Sequence, residues 1–152
     1  VGDEVTSDGD LVAVWALMDS GSSIHTACKE KHFPGSTVTR GKHFGRKYKA
    51  ANDGDIINEG EMVIKAKTEE GRRAQVGFQN SRVGMPIMSI AKLGQEHDTR
   101  FGQHGGELIH RSSRKVTKFI KRAGVYFLKL MVHRDVASPN ESDRCPFHRP
   151  AN

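Results

Sequence analysis

Leu11 to Met18 (LVAVWALM) is an unbroken apolar run, closed by Gly9-Asp10 on one side and by Asp19-Ser20-Gly21 on the other. Side chains of a strand leave alternately on opposite faces, so Val12, Val14, Ala16 and Met18 take one face while Leu11, Ala13, Trp15 and Leu17 take the other. Both sets are apolar, and the run reads as a strand buried on both sides. The rest of the chain has to supply two covers for it. With 152 residues and 16.8 kDa it can do so as one domain of ordinary size, which buries roughly 70% of the surface its unfolded chain exposes.

The other strand signals are short and separated by turns. Lys47 to Ala51 and Asp55 to Lys67 flank Asn52-Asp53-Gly54, and an Asx-Gly tip between extended arms is a strong local hairpin signal. Met62, Ile64 and Ala66 share one face of the second arm. Glu69-Glu70-Gly71 makes the next turn, after which Ala74, Val76 and Phe78 alternate with Gln75, Gly77 and Gln79 as a half-buried strand. Ser22 to Phe33 lacks alternation and reads as a loop or a short helical turn, ended by Pro34-Gly35. Ser89 to Glu96 has room for a turn or two of helix, stopped by Gly94. Thr99 to Phe101 and Glu107 to His110 form strands about a turn at Gln103 to Gly106, and Val125 to Val132 is a late strand.

Short strands at intervals of roughly 8 to 12 residues, with glycine-rich turns, predict an all-β domain, closed or sandwiched. That domain is expected over residues 11–132. Residues 1–10 are expected to be a flexible N-terminal segment. Residues 133–152, with Pro139, Pro146 and Pro150 and no apolar periodicity, are expected to be a tail or linker.

At 36% hydrophobic and 28% charged residues, with a mean hydropathy of -0.59, the composition is that of a soluble protein, and a membrane role is not expected. Val1 to Asp10 carries four acidic residues and no basic one, unlike a signal or transit peptide, and the missing initiator Met suggests a fragment. Cys28 and Cys145 are far apart and form neither a disulfide framework nor a CxxC pair, so a reducing, cytoplasmic setting is expected.

Asp19 stands at the end of the wholly apolar strand, where an acid has to be hydrogen-bonded, paired or reactive. Ser20 offers a hydroxyl for a supporting bond, and Gly21 would let a backbone or ligand approach closely. Asp-Ser-Gly-Ser is also ordinary turn composition, so the meaning of the triplet depends on its surroundings.

Those surroundings come in a definite order: Asp19 to Ser23 with His25, then Ala51 to Gly54, then Ile87-Met88-Ser89-Ile90 leading into a short helix, then Gly124 to Leu128. The set resembles the retropepsin family of aspartic proteases, and more closely the protease region of copia-type retrotransposon polyproteins. Those carry DSGAS followed by a His, an ADG-type hairpin, an LLSV element and a closing GLYYL strand. The match runs over about Leu11 to Val132. Ser22 replaces the usual Ala, Ser89 stands where retroviral enzymes have Gly, and the hairpin tip has the single glycine Gly54.

The resemblance implies a retropepsin-like closed β-barrel with one short helix, and an aspartic endopeptidase that processes its own polyprotein. Asp19, Ser20 and Gly21 would be the catalytic triplet. Ser22, Ala51, Asn52, Asp53, Gly54, Ile87 and Met88 would bind an extended polypeptide substrate. Two close carboxylates share one proton, one acting as base on water and the other as acid toward the substrate carbonyl. This chain has a single Asp-Ser/Thr-Gly triplet, so the second carboxylate would come from an identical chain in a homodimer. Neither cofactor nor metal is expected. An alternative on the same fold is a non-catalytic dimerising or RNA-contacting module of a decayed retroelement.

Three further patterns compete for a role. His25, Cys28 and His32 fall at i, i+3 and i+7, a helical spacing for zinc, but three ligands make an incomplete set and structural roles are preferred. Cys145-Pro146-Phe147-His148 lacks a second half-site and is assigned to the tail. Arg111, Arg114, Lys115, Lys118, Lys121 and Arg122 form a stretch without an acidic residue, in a chain of net charge +6. With Val116, Phe119 and Ile120 standing among its charges, it reads first as a solvated hairpin with an apolar inner face, and second as a weak nucleic-acid contact.

Overall fold

A computed structural model describes residues 10–49 and 54–138. Its elements are β1 (Leu11–Asp19), β2 (Thr26–Ala27), α1 (Lys29–His32), β3 (Lys47–Lys49), β4 (Asp55–Ile57), β5 (Glu61–Lys67), β6 (Arg73–Asn80), β7 (Ile87–Ser89), α2 (Ile90–Leu93), β8 (His97–Phe101), β9 (Gly105–His110), β10 (Val116–Arg122) and β11 (Val125–His133). The described chain is all-β apart from two single-turn helices.

The central position expected of the apolar run is realised in the pairing of β1. It lies antiparallel to β11, from Leu11 opposite His133 to Met18 opposite Tyr126, and its last three residues run parallel to β7, with Asp19 level with Ser89. From β7 the pairings pass to β2, β6 and β5, and β5 meets β11 at Lys67 and Met131, so they return to β1 in a ring. Since β1 occupies one edge of β11 throughout, β10 and β5 share the other: β10 takes Val125 to Phe127 and β5 takes Met131. β10, β9 and β8 extend outward from there as an antiparallel meander.

The two faces of β1 are covered by different residues. Val14, Ala16 and Met18 enter the main core with Met62, Ile64, Phe78, Leu128, Leu130 and Val132, while Trp15 packs with Phe127 on the other side, flanked by Leu17, Met85, Ile120 and Val125. Phe78 is wholly buried, its ring 5.3 Å from that of Phe33. Burying one such side chain contributes on the order of 2–3 kcal/mol, which makes this corner an anchor of the fold.

Turn chemistry accounts for the hairpins. Gly71 takes φ 86° and donates to the Thr68 carbonyl, as the Glu-Glu-Gly turn predicts. Ala123 and Gly124 both have positive φ in the two-residue connection between Arg122 and Val125, the backbone of a primed turn whose twist matches its strands.

Three expectations about element limits change. The arm expected from Asp55 to Lys67 is broken between β4 and β5, where Gly60 takes φ 118° and buried Asn58 hydrogen-bonds the Gly60 amide. The segment from Ser22 to Phe33 contains the short strand β2 as well as the helical turn α1. Packing also continues past Val132: Ala137 is buried, the Gly35 amide donates to the Val136 carbonyl, and the Ser138 amide donates to that of His32. Residues 1–9 and 139–152, including Cys145 and His148, lie outside the described residues.

Candidate active site

Asp19 ends β1 half-buried, and its Oδ1 accepts the Gly21 amide at 2.8 Å. The carboxylate is thus oriented by the backbone of its own loop and not by the Ser20 hydroxyl; Ser20 is exposed in the single chain. Gly21 is not required for space, since a methyl there would lie 3.4 Å from Asp19 Oδ1, an ordinary contact. Ser22 is half-buried, donates its Oγ hydrogen to the Ile24 carbonyl at 2.6 Å, and turns its own carbonyl inward.

That carbonyl accepts the Ser89 hydroxyl at 2.6 Å. Ser89 is fully buried, and its Oγ also accepts the Lys92 amide at 3.0 Å, capping α2. Its own amide donates to Nδ1 of His25 at 2.9 Å. Burial first, and then the Lys92 ammonium, push the His25 imidazole down to about 4, so the ring is neutral at pH 7. With Nδ1 accepting, the neutral ring carries its proton on Nε2. Nδ1 is therefore already used and is not available as a base for Ser20, Ser22 or Cys28.

Strand alternation separates Ile87 from Met88. Ile87 is half-buried opposite Leu17, whereas Met88 points into the main core and serves packing, not substrate contact. The expected hairpin is present in its arms, with Lys47, Tyr48 and Lys49 paired to Ile57, Ile56 and Asp55. Ala51, Asn52 and Asp53 at its tip lie outside the described residues, and Gly54 is exposed. The base of the hairpin is held by Asn58, which donates to Gln79 Oε1 at 2.6 Å while its backbone bonds Gly45 and Arg46. The sequence analysis does not single out Asn58, although Asn-x-Gly at Asn58 to Gly60 is a signature of an Asx turn; the Ser before the helical IAKL is the corresponding local signal for Ser89 as a helix cap.

His32 lies at the end of α1, where Nδ1 accepts the Cys28 amide at 2.9 Å and Nε2 lies 3.2 Å from the Gly84 carbonyl. Burial lowers its pKa, opposed by the Gly84 bond and helped by Lys31. Both ring nitrogens are thus committed to backbone groups. Among the described residues, no three His, Cys, Asp or Glu side chains are placed to hold a metal ion. No described helix is long and apolar enough to cross a membrane.

The acid-free stretch is divided by the fold. Arg111, in the β9–β10 turn, bonds the Gly94 and His97 carbonyls and Asp98, tying the turn to the end of α2 and to β8. Arg114 and Lys115 complete that turn. Lys118 and Arg122 leave one face of β10, with Lys118 level with Glu107, itself level with Arg100. Lys121 leaves the other, 5.4 Å from the Tyr126 ring, beside Phe101 and Phe119. The cations do not form one continuous stripe.

Comparison with family models, with curated proteins and with solved structures found no match for this chain.

Proposed function

We propose that this chain is an aspartic endopeptidase of a retroelement, with a retropepsin-like closed barrel, and that it processes the polyprotein to which it belongs as a cytoplasmic homodimer. The observation that carries this reading is the placing of Asp19. It is a half-buried carboxylate at the end of a doubly covered strand, level with Ser89, its Oδ1 held by the Gly21 amide. The paired arms β3 and β4 agree with a flap that closes over an extended peptide.

In the dimer, Asp19 of each chain would face the other across the two-fold axis and share one proton. The ionised carboxylate takes a proton from water as its oxygen attacks the scissile carbonyl, while the protonated one gives its proton to the carbonyl oxygen. Activity then requires the singly protonated pair, so kcat/KM should be bell-shaped with an acidic optimum. A peptide-cleavage assay across pH, with Asp19→Asn as control and sedimentation for assembly, tests this. Cleavage that vanishes in Asp19→Asn and tracks a concentration-dependent dimer supports the reading. A stable monomer with full activity overturns it, and a folded dimer that cleaves nothing at any pH favours the non-catalytic module.

A further inference from the structure

His25 lies just before β2, whose Thr26 pairs with Ile87 of β7. Two residues further along β7, the Ser89 amide meets not a backbone carbonyl but the His25 imidazole. The side chain continues the ladder for one more rung, at the level where β7 runs beside Asp19. The Ser89 hydroxyl, fixed by that rung and by the Lys92 amide, then holds the Ser22 carbonyl. The loop that follows Asp19 is therefore tied at Ser22 and again at His25 to one buried residue of β7.

We propose that His25 and Ser89 are positioning residues for the Asp19 carboxylate, the imidazole acting as a backbone-like acceptor that locks Ser89 and, through it, the loop. The proposal rests on the endopeptidase reading for its effect on turnover, but not for its effect on the loop. The ring is sandwiched among groups that bring little charge: β2, β7 and the Val76 to Asn80 end of β6 carry none, α2 brings Lys92, and the loop brings Asp19 itself. Protonating Nδ1 would set two N–H groups against each other and open the rung.

The test compares His25→Gln, whose side-chain oxygen can accept the same amide without titrating, with His25→Leu, which cannot, and with Ser89→Ala, which keeps the His25 bond but releases Ser22. Two readouts are taken on the full chain: kcat and KM for a peptide, and amide hydrogen exchange at Gly21 and Ser89. The expected result is a fall in kcat of about tenfold in His25→Leu and Ser89→Ala with KM changed little, and recovery in His25→Gln. Exchange at Gly21 should rise by a similar factor in Leu and Ala and stay low in Gln. Equal kcat and equal Gly21 exchange in all four proteins would overturn the proposal. If the wild type cleaves nothing, the exchange pattern alone decides it, so the two readings fail separately. If His25→Leu does not fold, Ser89→Ala against His25→Gln decides it by the same criteria.

Discussion

Replacing His25 by Gln should flatten the acid side of the stability profile. The unfolded imidazole titrates near 6.5, and burial holds the folded one at about 4. A depressed pKa means that the unfolded chain binds the proton first. Above pH 6.5 both states are neutral at this site and its contribution to stability is complete. Between 6.5 and 4 the unfolded state protonates and the folded state does not, so stability falls with pH; below 4 the slope from this group ends. At about 1.4 kcal/mol for each pKa unit, the loss across that window is about 3 kcal/mol, a large share of the ~5–15 kcal/mol that holds a domain together. Urea unfolding followed by the fluorescence of Trp15, at fixed protein concentration and at steps from pH 7.5 to 4, measures it directly. His32, shifted the same way, contributes equally to both curves and cancels in their difference. Wild type should lose about 3 kcal/mol more than His25→Gln between pH 6.5 and 4. Parallel curves would refute the reasoning. The window overlaps the acidic optimum expected of a carboxylate pair, so the acid limb of the wild-type activity profile should contain unfolding as well as protonation of the base.

Two other outcomes are expected. A methyl at Gly106 would overlap the Arg100 carbonyl and the Phe119 ring, so Gly106→Ala should cost roughly 1–3 kcal/mol, read as a lower urea midpoint with unchanged slope. Because the fold spreads the cations of Arg111 to Arg122 over a turn and both faces of β10, at most about three can engage one RNA strand; the slope of log K against log salt should be no steeper than about -2, and a slope near -4 would show a continuous patch.

Several elements are written in the chain's periodicity alone. Leu11 to Met18 is apolar on both alternating sets, and β1 is covered by two clusters. Glu69-Glu70-Gly71 turns because a glycine stands where φ must be positive. Met88 lies in the main core, a side that Ile87-Met88-Ser89 does not reveal, since their order says that they alternate but not which face turns inward. Asn58 and the packing of residues 133–138 onto α1 are not legible locally because their partners are long-range: Gln79 for Asn58, Gly35 and His32 for the C-terminal segment.

Local pattern alone therefore determined which stretches of this protein extend, where they turn, and that an acid, Asp19, closes the strand that is apolar on both faces. Only the tertiary structure decided what holds that acid's loop. His25 and Ser89 are 64 positions apart, and their bond exists because the ring of pairings lays β7 beside both β1 and β2. Apolar periodicity is written residue by residue, since burial depends on which face a side chain takes. The partner of a buried polar group is written nowhere in its own segment, since it depends on which distant strand the closed ladder brings alongside.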